Sequence, residues 1–217
     1  MLAFAPAQCE MSGMKRTGRP TKEESRVLTG DLLGVAAEMF LDRGYRATSI
    51  EAVAAEARVA KKTIYAQFGG KAGLFRAVYQ SIAERRGKLL PLGDPGPGRE
   101  GLIRRAEAIV EGAFERHALQ FNQLLMREGA SFPELQQITA EITEIHISAP
   151  LKAYFARELP DASDDRLSFL AEAFINVLLG RYIGLVSQPG ISSLRAWYTK
   201  ERIEALCDLY WHGCRSS

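Results

Sequence analysis

Between Thr48 and Leu74 apolar residues recur at helical spacing in two short runs with a tight interruption between them. Ile50, Val53 and Ala54 fall at i, i+3 and i+4, Val59 interrupts, and Ile64 and Phe68 resume the stripe four residues apart. Ala54 is small where a second helix must cross closely, and the five larger apolar side chains lie where that crossing buries surface. The pattern is a helix-turn-helix signature. Thr48, followed three residues later by Glu51, forms a capping box that starts the first short helix at about Ser49.

The second short helix turns a different set of side chains outward. Lys61, Lys62, Thr63, Tyr65 and Gln67 place two fixed charges and three hydrogen-bonding groups within seven residues. A short helix this polar suits a DNA major groove, where base edges offer donors and acceptors and phosphates flank them on both sides. The competing reading is a solvated face on a structural three-helix unit.

Beyond these two helices, matching positions extend over residues 28–75: Ala36-Ala37 and Phe40, Gly44-Tyr45, Thr48-Ser49-Ile50, Val53-Ala54, Ala57, Val59, Thr63-Ile64-Tyr65, Phe68, Lys71 and Leu74-Phe75. With this pattern the chain resembles the DNA-binding domain of the TetR/AcrR family of transcriptional regulators. The Thr-Ile-Tyr-x-x-Phe-x-x-Lys-x-x-Leu-Phe tail is the specific part of the match. The resemblance implies that Lys62, Thr63, Tyr65 and Gln67 approach base edges or adjacent phosphates with Lys61 beside them, while Thr48 and Lys71 hold the DNA backbone. Two departures stand out. Arg58 occupies the turn position where the family usually has Gly, at a cost of about 1 kcal/mol for a left-handed conformation. Ala60 stands where a Ser or Thr usually caps the recognition helix, which forgoes about 1 kcal/mol.

Charge follows the same division. Residues 1–90 carry 15 Lys and Arg against 9 Asp and Glu, whereas residues 91–217 carry 13 against 17. The basic end is the helix-turn-helix end, as a phosphate-binding surface requires. Cys9, Cys207 and Cys214 are an odd, scattered count that does not resemble a secreted disulfide framework, so a reducing cytoplasm is the expected location. No membrane span and no signal peptide are expected.

Along the chain, residues 1–20 read as a flexible basic arm, with Lys15, Arg16 and Arg19 either reaching phosphates or forming a solvated tail. Residues 21–69 form the DNA-binding domain, whose first helix opens at Thr21 with a capping box to Glu24 and ends at Gly44. Residues 70–98 are a connecting helix and the linker P-L-G-D-P-G-P-G, whose Pro and Gly density forbids a continuous helix. Residues 99–217 read as helices near Glu100–His117, Ala118–Gly129, Pro133–Leu159, Ser163–Ser187 and Ser192–His212. The fold class is all-α, with neither strand signal nor internal repeat.

In the TetR/AcrR family the C-terminal half resembles a small-molecule sensor. Phe114, Phe121, Leu125 and Phe174, with the polar Asn122, His146 and Asn176, are the candidate pocket residues, although each apolar one is equally read as ordinary core. Arg127 to Leu135, R-E-G-A-S-F-P-E-L, resembles a subgroup compared with the AefR-type regulators. The last two helices carry more apolar positions than packing on one subunit needs, including Phe169, Ala173, Phe174, Val177, Gly180, Trp197, Ile203, Leu206 and Tyr210. Across a two-fold axis they would form a four-helix bundle. Cys207, His212 and Cys214 lack tight ligand spacing, so no metal is expected, and no cofactor loop or enzyme motif is present. The expected protein is a homodimeric repressor that binds a palindromic double-stranded DNA operator and is released by an unknown small-molecule effector. The alternative is a helical ligand-binding or protein-interaction module without specific DNA binding.

Overall fold

The computed structural model describes residues 22–89, 95–186 and 191–215, and all regular structure among them is helical. The arm of residues 1–20 and the first half of the Pro/Gly linker lie outside these residues, as does the proposed cap at Thr21. The elements are α1 (Lys22–Ala47), α2 (Ile50–Glu56), α3 (Lys61–Phe68), α4 (Lys71–Leu89), α5 (Gly98–Phe114), α6 (Arg116–Glu128) and α7 (Pro133–Thr143). A π-helical turn (Glu144–Ser148) joins α7 to α8 (Ala149–Glu158), followed by α9 (Asp164–Leu185), α10 (Ile191–Trp197) and α11 (Lys200–Arg215).

The first capping box is not formed. Ser49 is the N-cap of α2, its hydroxyl accepting the Ala52 amide at 3.1 Å. Thr48 is instead buried, and Glu51 turns to Lys61. Gly44 has the positive φ expected at a helix end, but its φ of 85° and ψ of 167° bend the chain, and Tyr45–Ala47 then complete another turn. Arg58 adopts the left-handed conformation that the sequence assigns to its turn, with φ 55°. Ala60 precedes α3 without a side-chain cap, and Gly69 closes α3 in the αL region at φ 75°. Gly73 is required for a different reason: any Cβ there would collide with the Phe68 carbonyl, so α4 can pack closely against the end of α3 only with glycine.

Two apolar cores result. The first joins α1–α4 with one face of α6 and α7; Phe40, Phe75, Phe121, Leu124 and Leu135 are fully enclosed in it. Phe75 meets Phe40 edge-on at 5.2 Å and Phe121 at 5.3 Å, while Tyr79 stacks on Phe121 at 5.5 Å. The second core gathers α5, α8, α9, α10 and α11 around Phe155, Phe174 and Tyr182. Helix α6 therefore stands between the cores, and packing does not divide at the Pro/Gly linker. Burial of each Phe or Leu contributes about 1.5–3 kcal/mol, so the α6–α7 contact with α1 and α4 is a substantial part of the DNA-side core.

The helix expected over 192–212 is two helices. Tyr198 points inward, its hydroxyl accepting the Tyr182 amide at 3.2 Å, and Thr199 restarts the chain by accepting the Arg202 amide at 3.4 Å. Similarly, the break expected at His117 falls at Glu115, whose carboxylate caps α6 by accepting the Ala118 amide at 3.0 Å.

Candidate nucleic-acid interface

Helix α3 sits on α2 and α4 by one face. Ile64 is buried and Phe68 half-buried, while Lys61, Lys62, Tyr65 and Gln67 are exposed and Thr63 is partly so. An eight-residue helix cannot be held by propensity alone, and its stability comes from this buried face. Tyr65 leaves half of its surface open (51%) beside these polar groups.

The two lysines are not equivalent. Lys61 donates to Glu51 Oε1 at 3.0 Å, and that bond holds the Glu51 carboxyl below its ordinary range. Lys62 makes no ion pair among the described residues and is the less encumbered charge for a phosphate.

One expected contact, that of Thr48, is corrected. Thr48 is 1% exposed, and its hydroxyl lies 3.0 Å from the Met39 carbonyl and 2.8 Å from that of Gly44, so it locks the α1 kink and does not face DNA. Lys71 is half-buried; its ammonium donates to the Arg46 carbonyl at 3.3 Å and lies 4.3 Å above the Tyr45 ring. Burial lowers the Lys71 pKa against the opposing fields of Glu128 and Glu134. The Thr48 side chain turns inward onto the bend at Gly44, which an i, i+3 reading does not show.

The expected apolar pocket residues divide between the two cores. Phe121 and Leu125 face the DNA-side core, whereas Phe114 packs on the Tyr182 and Tyr198 rings at 5.1 and 5.6 Å and Phe174 lies against Phe155 and Tyr210. Asn122 donates to the Tyr182 hydroxyl at 2.8 Å, which donates onward to the Ala113 carbonyl at 2.9 Å. His146 is half-exposed on the π-helical turn, and Asn176 lies open on α9. Adjacent residues of a helix point about 100° apart, so Phe121 and Asn122 serve opposite cores. A cleft of about 580 Å³ between the α8–α9 connection and the end of α11 is lined by Glu158–Ser163, Arg166 and Cys214, none of them among the expected pocket residues.

A family model described as bacterial regulatory proteins, tetR family, matches residues 32–78, the segment that carries α2, α3 and the surfaces packed on them. Over that segment the chain is similar to the TetR family. The HTH-type transcriptional activator FasR of Mycolicibacterium smegmatis is 40% identical over 68 residues, which are 31% of this chain and 30% of that protein. An HTH-type transcriptional repressor of Mycobacterium tuberculosis is 27% identical over 135 residues, 59% of this chain and 65% of the relative. The chain thus spans between 30% and 65% of the length of these curated relatives. The solved structure of the flavonoid-responsive regulator FrrA has the same fold, with a TM-score of 0.68 at 24% identity over 87% of this chain and 95% of that one. A TetR-family protein from Mesorhizobium loti matches with a TM-score of 0.65 at 20% identity, over 90% and 97% of the two chains.

Outside that segment, α9 is the described helix long and apolar enough to cross a bilayer by length and composition. Its inner face buries Leu167, Leu170, Phe174 and Leu178, while Phe169, Val177 and Ile183 stand exposed on the outer side with Gly180 and Gly184 among them. Leu209 of α11 is likewise exposed (75%). Of the residues expected to form a subunit interface, Phe174 and Ile203 are buried within their own chain, and Trp197 is covered by Arg181 and Arg202, each 5.3 Å from its ring. Cys207 and Cys214 are both buried, and burial pushes the Cys207 thiol up to about 12.

Proposed function

We propose that the chain is a sequence-specific, DNA-binding transcriptional regulator that acts as a homodimer and represses from a near-palindromic operator until a small-molecule effector releases it. The observation that carries the reading is α3, a polar, basic face with Lys62, Tyr65 and Gln67 exposed over a buried Ile64. Residues 21–69 read DNA, 70–98 connect, and 99–217 sense and dimerise. The exposed apolar stripe of α9, with the exposed Leu209 of α11, supports pairing about a two-fold axis, which sets two heads on two half-sites.

Relatives named as an activator and as a repressor both match, and the repressor does so over the longer span. FrrA is responsive to a flavonoid, which supports effector control in this fold without naming an effector here. Release follows from linkage: an effector that prefers mis-spaced heads weakens DNA binding by the factor by which DNA weakens effector binding. The protein works where the DNA is, in the cytoplasm, and no enzymatic step is assigned to it.

Selection of bound sequences from a random duplex library, at salt near physiological, tests this reading. Enrichment of an inverted repeat that survives excess random competitor DNA is the expected result. A folded, dimeric protein that enriches nothing would favour the interaction-module reading.

A further inference from the structure

The junction between α1 and α2 is held by residues more than eighty positions away. The bend at Gly44 takes the chain out of the helical ladder, so the Arg46 amide needs an acceptor from elsewhere. Glu128, the last residue of α6, provides it: its Oε2 accepts the Arg46 N–H at 2.7 Å. Its other oxygen occupies the space into which a Cβ at position 44 would project, so glycine there serves both the positive φ and the approach of this carboxylate.

The next turn of the regulatory half grips the same segment. Tyr45 donates to Glu134 Oε1 at 3.1 Å and meets the Phe132 ring at 5.0 Å, while the Arg46 guanidinium lies 4.9 Å over that ring. Glu128, Phe132 and Glu134 all fall in Arg127–Leu135, the segment set apart in the sequence, which the DNA-reading surface leaves without a role.

We propose that Glu128 is a positioning residue: with Glu134 it clamps the α1–α2 junction to the α6–α7 turn, and so ties the orientation of the reading head to the regulatory half. This rests on the DNA-binding reading above. Helix α4 is one link between the halves, and this clamp is a second that bypasses it. A displacement of α6 along α1 cannot keep both the Arg46–Glu128 and Tyr45–Glu134 bonds, so the junction has a held and a released state. Lys71, the first residue of α4, touches the same junction separately through the Arg46 carbonyl.

The test compares Glu128→Ala, Glu128→Gln and Tyr45→Phe in the full chain by amide hydrogen exchange and by affinity for the duplex enriched above. Glu128→Ala is expected to speed exchange over residues 46–56, leave α9 and α11 as in the parent, and weaken operator binding about ten-fold, within the usual range of inter-site coupling. Glu128→Gln keeps an acceptor oxygen and is expected to restore most of both. Tyr45→Phe, which keeps the ring, is expected to give a smaller change of the same kind. Unchanged exchange over 46–56 in Glu128→Ala, or acceleration spread evenly over the whole chain, overturns the clamp. Local acceleration with parental operator affinity overturns its role in orienting the head. If the parent enriches no duplex, the regulator reading falls, and the exchange pattern alone still decides whether the clamp exists.

Discussion

Replacing Thr48 with Val separates a structural hydroxyl from a DNA contact. The side chain is 1% exposed, and its hydroxyl lies 3.0 and 2.8 Å from two carbonyl oxygens of the α1 kink. The Thr48 amide turns to the Tyr45 carbonyl at 3.3 Å, which leaves the Gly44 carbonyl to the hydroxyl. Valine preserves the shape, so no cavity opens, but a buried acceptor loses its partner at a cost of about 2 kcal/mol. For a chain of this size that lowers the thermal midpoint by about 4–8 °C, at protomer concentration held fixed because dimer stability depends on it. Thr48→Ser retains the hydroxyl and loses one methyl, about 0.8 kcal/mol. The expected order of stability is therefore Thr, Ser, Val, by calorimetry or urea titration. Operator affinity measured well below the transition should stay close to the parent's in both variants. A Val variant as stable as the parent that has lost DNA affinity would refute the reasoning, since the hydroxyl would then face the nucleic acid.

The two exposed lysines of α3 should differ in salt dependence. Lys62→Ala is expected to reduce the slope of log affinity against log salt by about 0.9. Lys61→Ala should reduce it less, because Glu51 already neutralises that ammonium at 3.0 Å; equal slopes would discard the distinction. Phe169→Lys combined with Leu209→Lys should convert dimer to monomer in light scattering, and an intact dimer would move the interface off α9 and α11. At Glu115 burial raises the carboxyl pKa, but the Ala118 and His117 amides and the His117 ring outweigh it, and the net shift is down from 4.5. A carboxylate with a lowered folded pKa stabilises above the unfolded value and loses that contribution as pH falls through the folded one. Glu115→Ala should therefore cost about 1 kcal/mol at neutral pH, with the gap to the parent closing in acid below pH 4.5; a gap that does not change with pH would contradict the assignment.

Local chemistry made much of this protein legible from its residues alone. Helical spacing of Ile50, Val53, Ile64 and Phe68 identified the two crossed helices, and the outward set followed because those positions have no apolar partner to meet. Arg58 at φ 55° and Gly69 at φ 75° are similarly local, since turn geometry and the absence of a Cβ act within a few residues. The apolar excess of α9 was readable as a surface in need of cover. What the sequence left undecided was every choice between faces of one helix. Phe121 and Phe174 have the same chemistry, and only the position of α6 between two cores sends one to Phe75 and the other to Phe155. Thr48 looked like a phosphate ligand because its type suits that task, yet it is buried against the bend at Gly44. Glu128 carried no local signal, because an acceptor for Arg46 is chosen by three-dimensional proximity across 82 positions of chain. Periodicity, turn and capping chemistry are properties of neighbouring residues and so belong to the sequence, whereas the pairing of distant polar groups exists only once the two cores have formed.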